Sequence, residues 1–191
     1  MHREWEFYLL DLKGFEADLG GGWEPPEDQL ELFWFDYLGD ADSFDAEESG
    51  EETLDRLQAS WPELVAAPRP LDGPESLYLL SLVFCHGIRL DDNPDCRHYE
   101  FGAESDLHLT NALKDARLWE RLTSREVAGL TPGDAGPDVA GEPGFGWLGR
   151  SELELAHRLP DVDGAKELKD AAIEAERHRR DLFAFSASGS D

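Results

Sequence analysis

Glu4-Trp5-Glu6-Phe7-Tyr8-Leu9-Leu10-Asp11-Leu12-Lys13 alternates well enough for a strand, with Trp5, Phe7 and Leu9 on one face. At the other end of the chain, a helix over about 165–180 runs into Asp181-Leu182-Phe183-Ala184-Phe185, which reads as a final strand. Much of the patterning between these two ends is helical. Strands at both ends with helices between them give the α+β class. The expectation is a single compact domain over 1–185, with a mixed or antiparallel sheet, terminal strands and helices packed on it. Residues 186–191 are expected to fray as a tail.

Working inward, Gly20-Gly21-Gly22 and Pro25-Pro26 mark a loop. Residues 29–38, Gln29-Leu30-Glu31-Leu32-Phe33-Trp34-Phe35-Asp36-Tyr37-Leu38, are apolar and aromatic enough for a second strand that pairs with the first. A helix follows over 51–60, ended by Trp61-Pro62. Over 75–86, Leu77, Leu80 and Phe84 share a helical face, Glu75 suits a first turn and Gly87 supplies a stop, so helix is favoured over a buried strand. Ile88–Leu90 and Arg97–Phe101 read as short strands around Asp91-Asp92-Asn93-Pro94-Asp95. Helices are expected over 109–122 and 124–129. The six Gly and three Pro of 131–149 predict a long loop, and Ser151-Glu152-Leu153-Glu154 has the spacing of a capping box.

The 191 residues hold 43 acidic and 17 basic side chains, a net charge of −26. Phosphate contacts need clustered Lys and Arg, so nucleic acid and anionic membrane surfaces are poor partners. No apolar run approaches the ~20 residues of a spanning helix. The N-terminus lacks the layout of a signal peptide, and two Cys do not make a secreted disulfide framework. The expected location is the cytoplasm.

The charge is unevenly placed. Residues 1–60 carry 18 acids and 3 bases, against 12 and 7 in 61–130 and 13 and 7 in 131–191. The densest run is Asp36, Asp40, Asp42, Asp45, Glu47, Glu48, Glu51, Glu52 and Asp55, with no base among them. Like charges this close repel, so the run is either solvated or meets a cationic partner. If 29–38 is a strand, one aromatic face is core and the other offers Trp34 or Tyr37 as an anchor rimmed by carboxylates. A host-wide bias towards acidic residues would produce the composition without any partner.

Catalytic motifs are absent or incomplete. Cys85-His86 and Cys96-Arg97-His98 offer two thiols and two imidazoles for zinc, although adjacent Cys-His seldom directs both side chains at one ion. His98-Tyr99-Glu100 matches the first part of a zinc-deaminase signature, but no Pro-Cys-x-x-Cys follows. The oxygen-rich turn from Asp91 lacks the Gly and Glu positions of an EF-hand. Ser151 reads as a helix cap rather than a nucleophile.

The composition leans away from an enzyme and towards a small acidic protein that docks on a basic protein. An inhibitor or immunity protein covering a cationic target is one form. The expected contacts are Trp34, Asp36, Tyr37, Asp40, Asp42, Asp45, Glu47, Glu48, Glu51 and Glu52. The alternatives are a metal-dependent enzyme using Cys85, His86, Cys96 and His98, a DNA mimic, and a housekeeping domain that is acidic through its host. No cofactor is expected, zinc being the candidate if there is one. The helix leading into Asp181–Phe185 resembles the C-terminal layout of several small bacterial domains, which implies no function.

Overall fold

A computed structural model describes residues 2–37, 50–90, 97–101, 103–133 and 143–189. Strand β1 (His2–Leu10) is apolar on both faces, with Trp5, Phe7 and Leu9 on one side and Tyr8 and Leu10 on the other. A strand buried on both faces must lie inside a sheet covered on both sides, and β1 does. β2 (Arg97–Phe101), β3 (Gly144–Leu148) and β4 (Asp181–Gly189) complete a sheet of order β2-β1-β4-β3, with every neighbouring pair antiparallel. The two chain ends thus lie side by side at its centre, Phe7 opposite Ala184 and His2 opposite Gly189. The fold is mixed α+β.

One face of the sheet carries Tyr8, Leu10, Phe145, Phe183 and Phe185. Against it pack α1 (Leu12–Gly20), α2 (Glu27–Glu31), a π-helical segment (Leu32–Tyr37), α3 (Gly50–Ala66) and α4 (Gly73–Leu90). The other face carries Trp5, Phe7, Leu9, Leu148, Leu182 and Ala184. It is covered by α5 (Ala103–Asp115), α6 (Trp119–Thr123), α7 (Glu154–His157) and α8 (Ala165–His178). α8 presents Ala165, Leu168, Ala171, Ala172 and Ala175, small residues that let a helix lie close on a sheet. Full burial of each large apolar side chain contributes about 1.5–3 kcal/mol.

Several sequence expectations are corrected. The strand expected over 29–38 is not found over its described part, 29–37, which does not pair with β1: Glu27 to Tyr37 is helical. Leu30, Phe33 and Trp34 are buried at i, i+3 and i+4, whereas Leu32 is 47% exposed, which is helical spacing. The first strand stops at Leu10 because Asp11 caps α1, its side chain accepting from the Gly14 N–H. α3 runs through Trp61-Pro62 to Ala66: Pro62 lacks an N–H, but burial of Trp61 and Leu64 holds the helix together. Gly87 does not end α4. It lies where the helix crosses β1, a Cβ there standing 3.7 Å from the Leu9 carbonyl oxygen, and the helix continues through 88–90.

The helix expected over 109–122 breaks at Arg117, whose φ of 58° is left-handed, and the Leu118 N–H closes on the Leu113 carbonyl at 2.8 Å. Residues 124–129 form bridges and a turn rather than a helix. The Gly-rich stretch contains β3, and residues 186–189 extend β4 instead of fraying. The capping box lies elsewhere. At α4, Asp72 N–H donates to Glu75 and Glu75 N–H donates to Asp72 at 3.0 and 2.9 Å, whereas α7 starts at Glu154 with Leu153, not Ser151, as its N-cap and no side-chain bond.

Candidate functional site

The acidic surface begins with the loop and helix after α1. Glu24, Glu27, Asp28 and Glu31 are all exposed, and Glu27 and Asp28 lie in the first turn of α2, where negative charge complements the helix dipole. The first turn of α3 repeats the arrangement with Glu51 and Glu52, followed by Asp55, all exposed. Behind these acids α3 buries Thr53, Leu54, Leu57, Trp61 and Leu64. The π-helical segment and α3 both pack against α4, so the acidic run starts and ends on the same side of the sheet.

Asp36 and Tyr37 belong to the π-helical segment, while Asp40, Asp42, Asp45, Glu47 and Glu48 lie outside the described residues. Trp34 is not a surface anchor. It is 1% exposed, and its ring stands 6.5 Å from that of Tyr78, which in turn meets Trp61 at 4.9 Å. Among the described side chains of this region, the exposed apolar one is Leu32, preceded in α2 by Glu27, Asp28 and Glu31. Strand alternation had set Trp34 apart from Phe33; helical spacing buries both.

Of the four residues considered for zinc, Cys85 and His86 are the two whose side chains are described. Cys85 and His86 are successive residues of α4, so their side chains diverge by about 100° around the helix axis. Cys85 is fully buried in the apolar core, and burial, reinforced by the Asp28 charge, pushes its thiol up to about 12. It remains a thiol at neutral pH, and zinc takes the thiolate. His86 is 1% exposed between the rings of Phe15 and Trp23, at 5.1 and 5.3 Å, with Nε2 3.0 Å from Asp18 Oδ2. Cys96 lies outside the described residues, and His98 sits on β2 opposite Glu6. Among the residues whose side chains are described, no three His, Cys, Asp or Glu groups could hold a metal ion.

A separate polar hub joins α6, β3 and α7. Arg121 and Arg125 both donate to Glu152, Arg125 at 2.6 Å, and the Gly149 N–H donates to Glu152 Oε2 at 3.0 Å. The Arg125 guanidinium stacks 3.3 Å from the Trp147 ring centroid, and Trp147 Nε1–H donates to the Glu126 carbonyl. Burial would raise the Glu152 carboxyl, but the Arg125 and Gly149 bonds and the two arginine charges outweigh it and hold it below its ordinary range. Spacing at Ser151 marks this place in the sequence, although the residue that accepts these bonds is its neighbour Glu152. The hub is a clasp: each charge has a partner, and it ties three elements together.

Among the described residues no helix is long and apolar enough to cross a membrane. Compared with protein-family models, curated proteins and solved structures, the chain matches none.

Proposed function

We propose that this chain is an acidic protein-binding domain that docks on a basic protein, an inhibitor or immunity protein covering a cationic surface being one form. The observation that carries the reading is the placement of the acids. Glu24, Glu27, Asp28 and Glu31 and then Glu51, Glu52 and Asp55 are exposed at the two ends of the base-free run, and Leu32, directly after Glu31, is exposed as well. Helix-dipole stabilisation accounts for Glu27, Asp28, Glu51 and Glu52, but Glu24, Glu31 and Asp55 lie outside those first turns. Exposed carboxylates with an exposed apolar side chain suit a partner rich in Lys and Arg, because charge speeds encounter and the apolar contact holds the complex.

The test pairs the wild-type chain with a variant carrying Glu27→Gln, Glu31→Gln, Glu51→Gln and Glu52→Gln. A partner captured by the wild type at low salt should associate with the variant about tenfold more slowly or worse, and with a flatter dependence on salt. Equal association rates across the salt series would overturn the reading.

A further inference from the structure

Asp181 gathers three chain segments at one end of the sheet. It opens β4 opposite Leu10, the last residue of β1. Its Oδ2 accepts the Leu12 N–H and its Oδ1 the Arg150 N–H, each at 3.1 Å. Arg150 follows β3, which ends at Leu148, and Arg179 stands two residues before Asp181. Lys13, Arg150 and Arg179 are thereby brought to one corner from distant parts of the chain. All three are exposed, and among the described residues their side chains make no hydrogen bond or ion pair.

Local structure does not account for these cations. Lys13 lies in the first turn of α1, where the helix dipole disfavours positive charge. Arg179 has a φ of 55°, a left-handed conformation that Gly or Asn adopts more readily. By contrast, Arg177 and His178 complement the end of α8 and both pair with Glu174. The acids of the corner are engaged too: Asp181 by two backbone N–H groups, Asp11 by the Gly14 N–H and Glu176 by His157. Two residues break local rules at one place, in a chain of net charge −26, which fits a contact surface better than a folding need.

The chain also carries the complementary surface. Glu24, Glu27, Glu31, Glu51 and Asp55 are exposed on and beside α2 and α3. The length of α1, about 12 Å at about 1.5 Å per residue, stands between Lys13 and the loop that leads to Glu24. We propose that the corner of Lys13, Arg150 and Arg179 docks on the acidic α2–α3 surface of a second copy of this chain. The contact is heterologous: each copy added brings one corner and one acidic surface, so association leads to open chains or a ring rather than a symmetric pair. It shares the acidic surface with the proposed docking on a basic protein, so the two compete.

Two copies of charge −26 repel as whole molecules, and salt separates this repulsion from the contact. At about 0.01 M the Debye length of about 30 Å leaves the repulsion in force; at about 0.1 M, about 10 Å screens it but spares pairs in contact; at about 1 M, about 3 Å screens both. Association therefore peaks at the middle ionic strength, whereas an apolar contact would not weaken again at high salt.

Sedimentation velocity of the full chain, up to millimolar concentration, reads this at the three ionic strengths. Arg150→Gln with Arg179→Gln should weaken association by about tenfold or more. Arg117→Gln with Lys166→Gln removes two other exposed cations, leaves the same net charge and should associate as wild type does. A charge exchange gives a second check. Chains carrying Arg150→Glu with Arg179→Glu, or Glu27→Lys with Glu31→Lys, should each stay monomeric, and their mixture should associate. Recovery in the mixture would not arise from damaged folds. A monomer at every ionic strength, equal loss in the two Gln pairs, or a mixture that stays monomeric would overturn the proposal. The measurement contains no basic protein, so its outcome is independent of whether such a partner is captured.

Discussion

His86 on α4 and Asp18 on α1 are joined through Nε2 and Oδ2 at 3.0 Å, an imidazole buried to 1% exposure meeting a carboxylate at the protein edge. The bond ties the first helix to the longest one across the aromatic rings of Phe15 and Trp23. Removing the acceptor leaves a polar ring in an apolar setting. Asp18→Ala should therefore lower unfolding free energy by about 1–3 kcal/mol, with Asp18→Asn losing less. Urea denaturation of the three proteins checks this; equal midpoints for wild type and Asp18→Ala would contradict it.

Trp34 and Leu32 are two positions apart and should behave oppositely. Trp34→Ala empties a core position that is 1% exposed and should cost about 3–5 kcal/mol. Leu32→Ser, at 47% exposure, should change stability by no more than about 0.5 kcal/mol and should weaken partner binding instead. Thermal melts separate the two, and a large stability loss in Leu32→Ser would show that its exposure has been misassigned.

Gly146 leaves no room for a methyl group. A Cβ there would collide with the Arg121 carbonyl oxygen and the Leu122 backbone, which cannot rotate aside as a side chain could. Gly146→Ala should cost about 3 kcal/mol or more. Circular dichroism and a melting curve decide it, and a melting temperature like that of wild type would refute it.

Glu152 gives a pH dependence with a defined sign. Its carboxyl is held below the ordinary glutamate range, so the folded state binds its proton less readily than the unfolded chain does. The resulting stabilisation is present above that range and is lost as pH falls through the lower, folded-state value. Glu152→Gln should be destabilising at pH 7, with the difference from wild type shrinking as pH falls below the ordinary glutamate range. A gap that stays constant down to acid pH would exclude the clasp as its source.

The terminal strands were legible because β1 and β4 carry strong apolar runs at the chain ends, and α4 because Leu77, Leu80 and Phe84 share a helical face. Residues 29–38 misled because Phe33, Trp34 and Phe35 satisfy strand alternation and helical spacing alike. Pro26 followed by Glu27 and Asp28 is the local signal that opens the helix instead. β3 hid in a stretch rich in Gly, where Gly146 serves close approach of the α6 backbone rather than a turn. The acids near Leu32 were legible as composition. The pairing of β1 with β2 was not, since it depends on long-range register that no local pattern encodes.

The two margins of the sheet are unequal. Beside β3 runs the α6 backbone, with Ser124 bridged to Phe145 and Arg121 against Gly146, whereas β2 forms the opposite edge. A strand from another molecule is thus refused on one side. Two copies meeting edge to edge through β2 would each present only a sealed margin to a third. Among the described residues, the β3 margin is therefore closed as a template for strand addition.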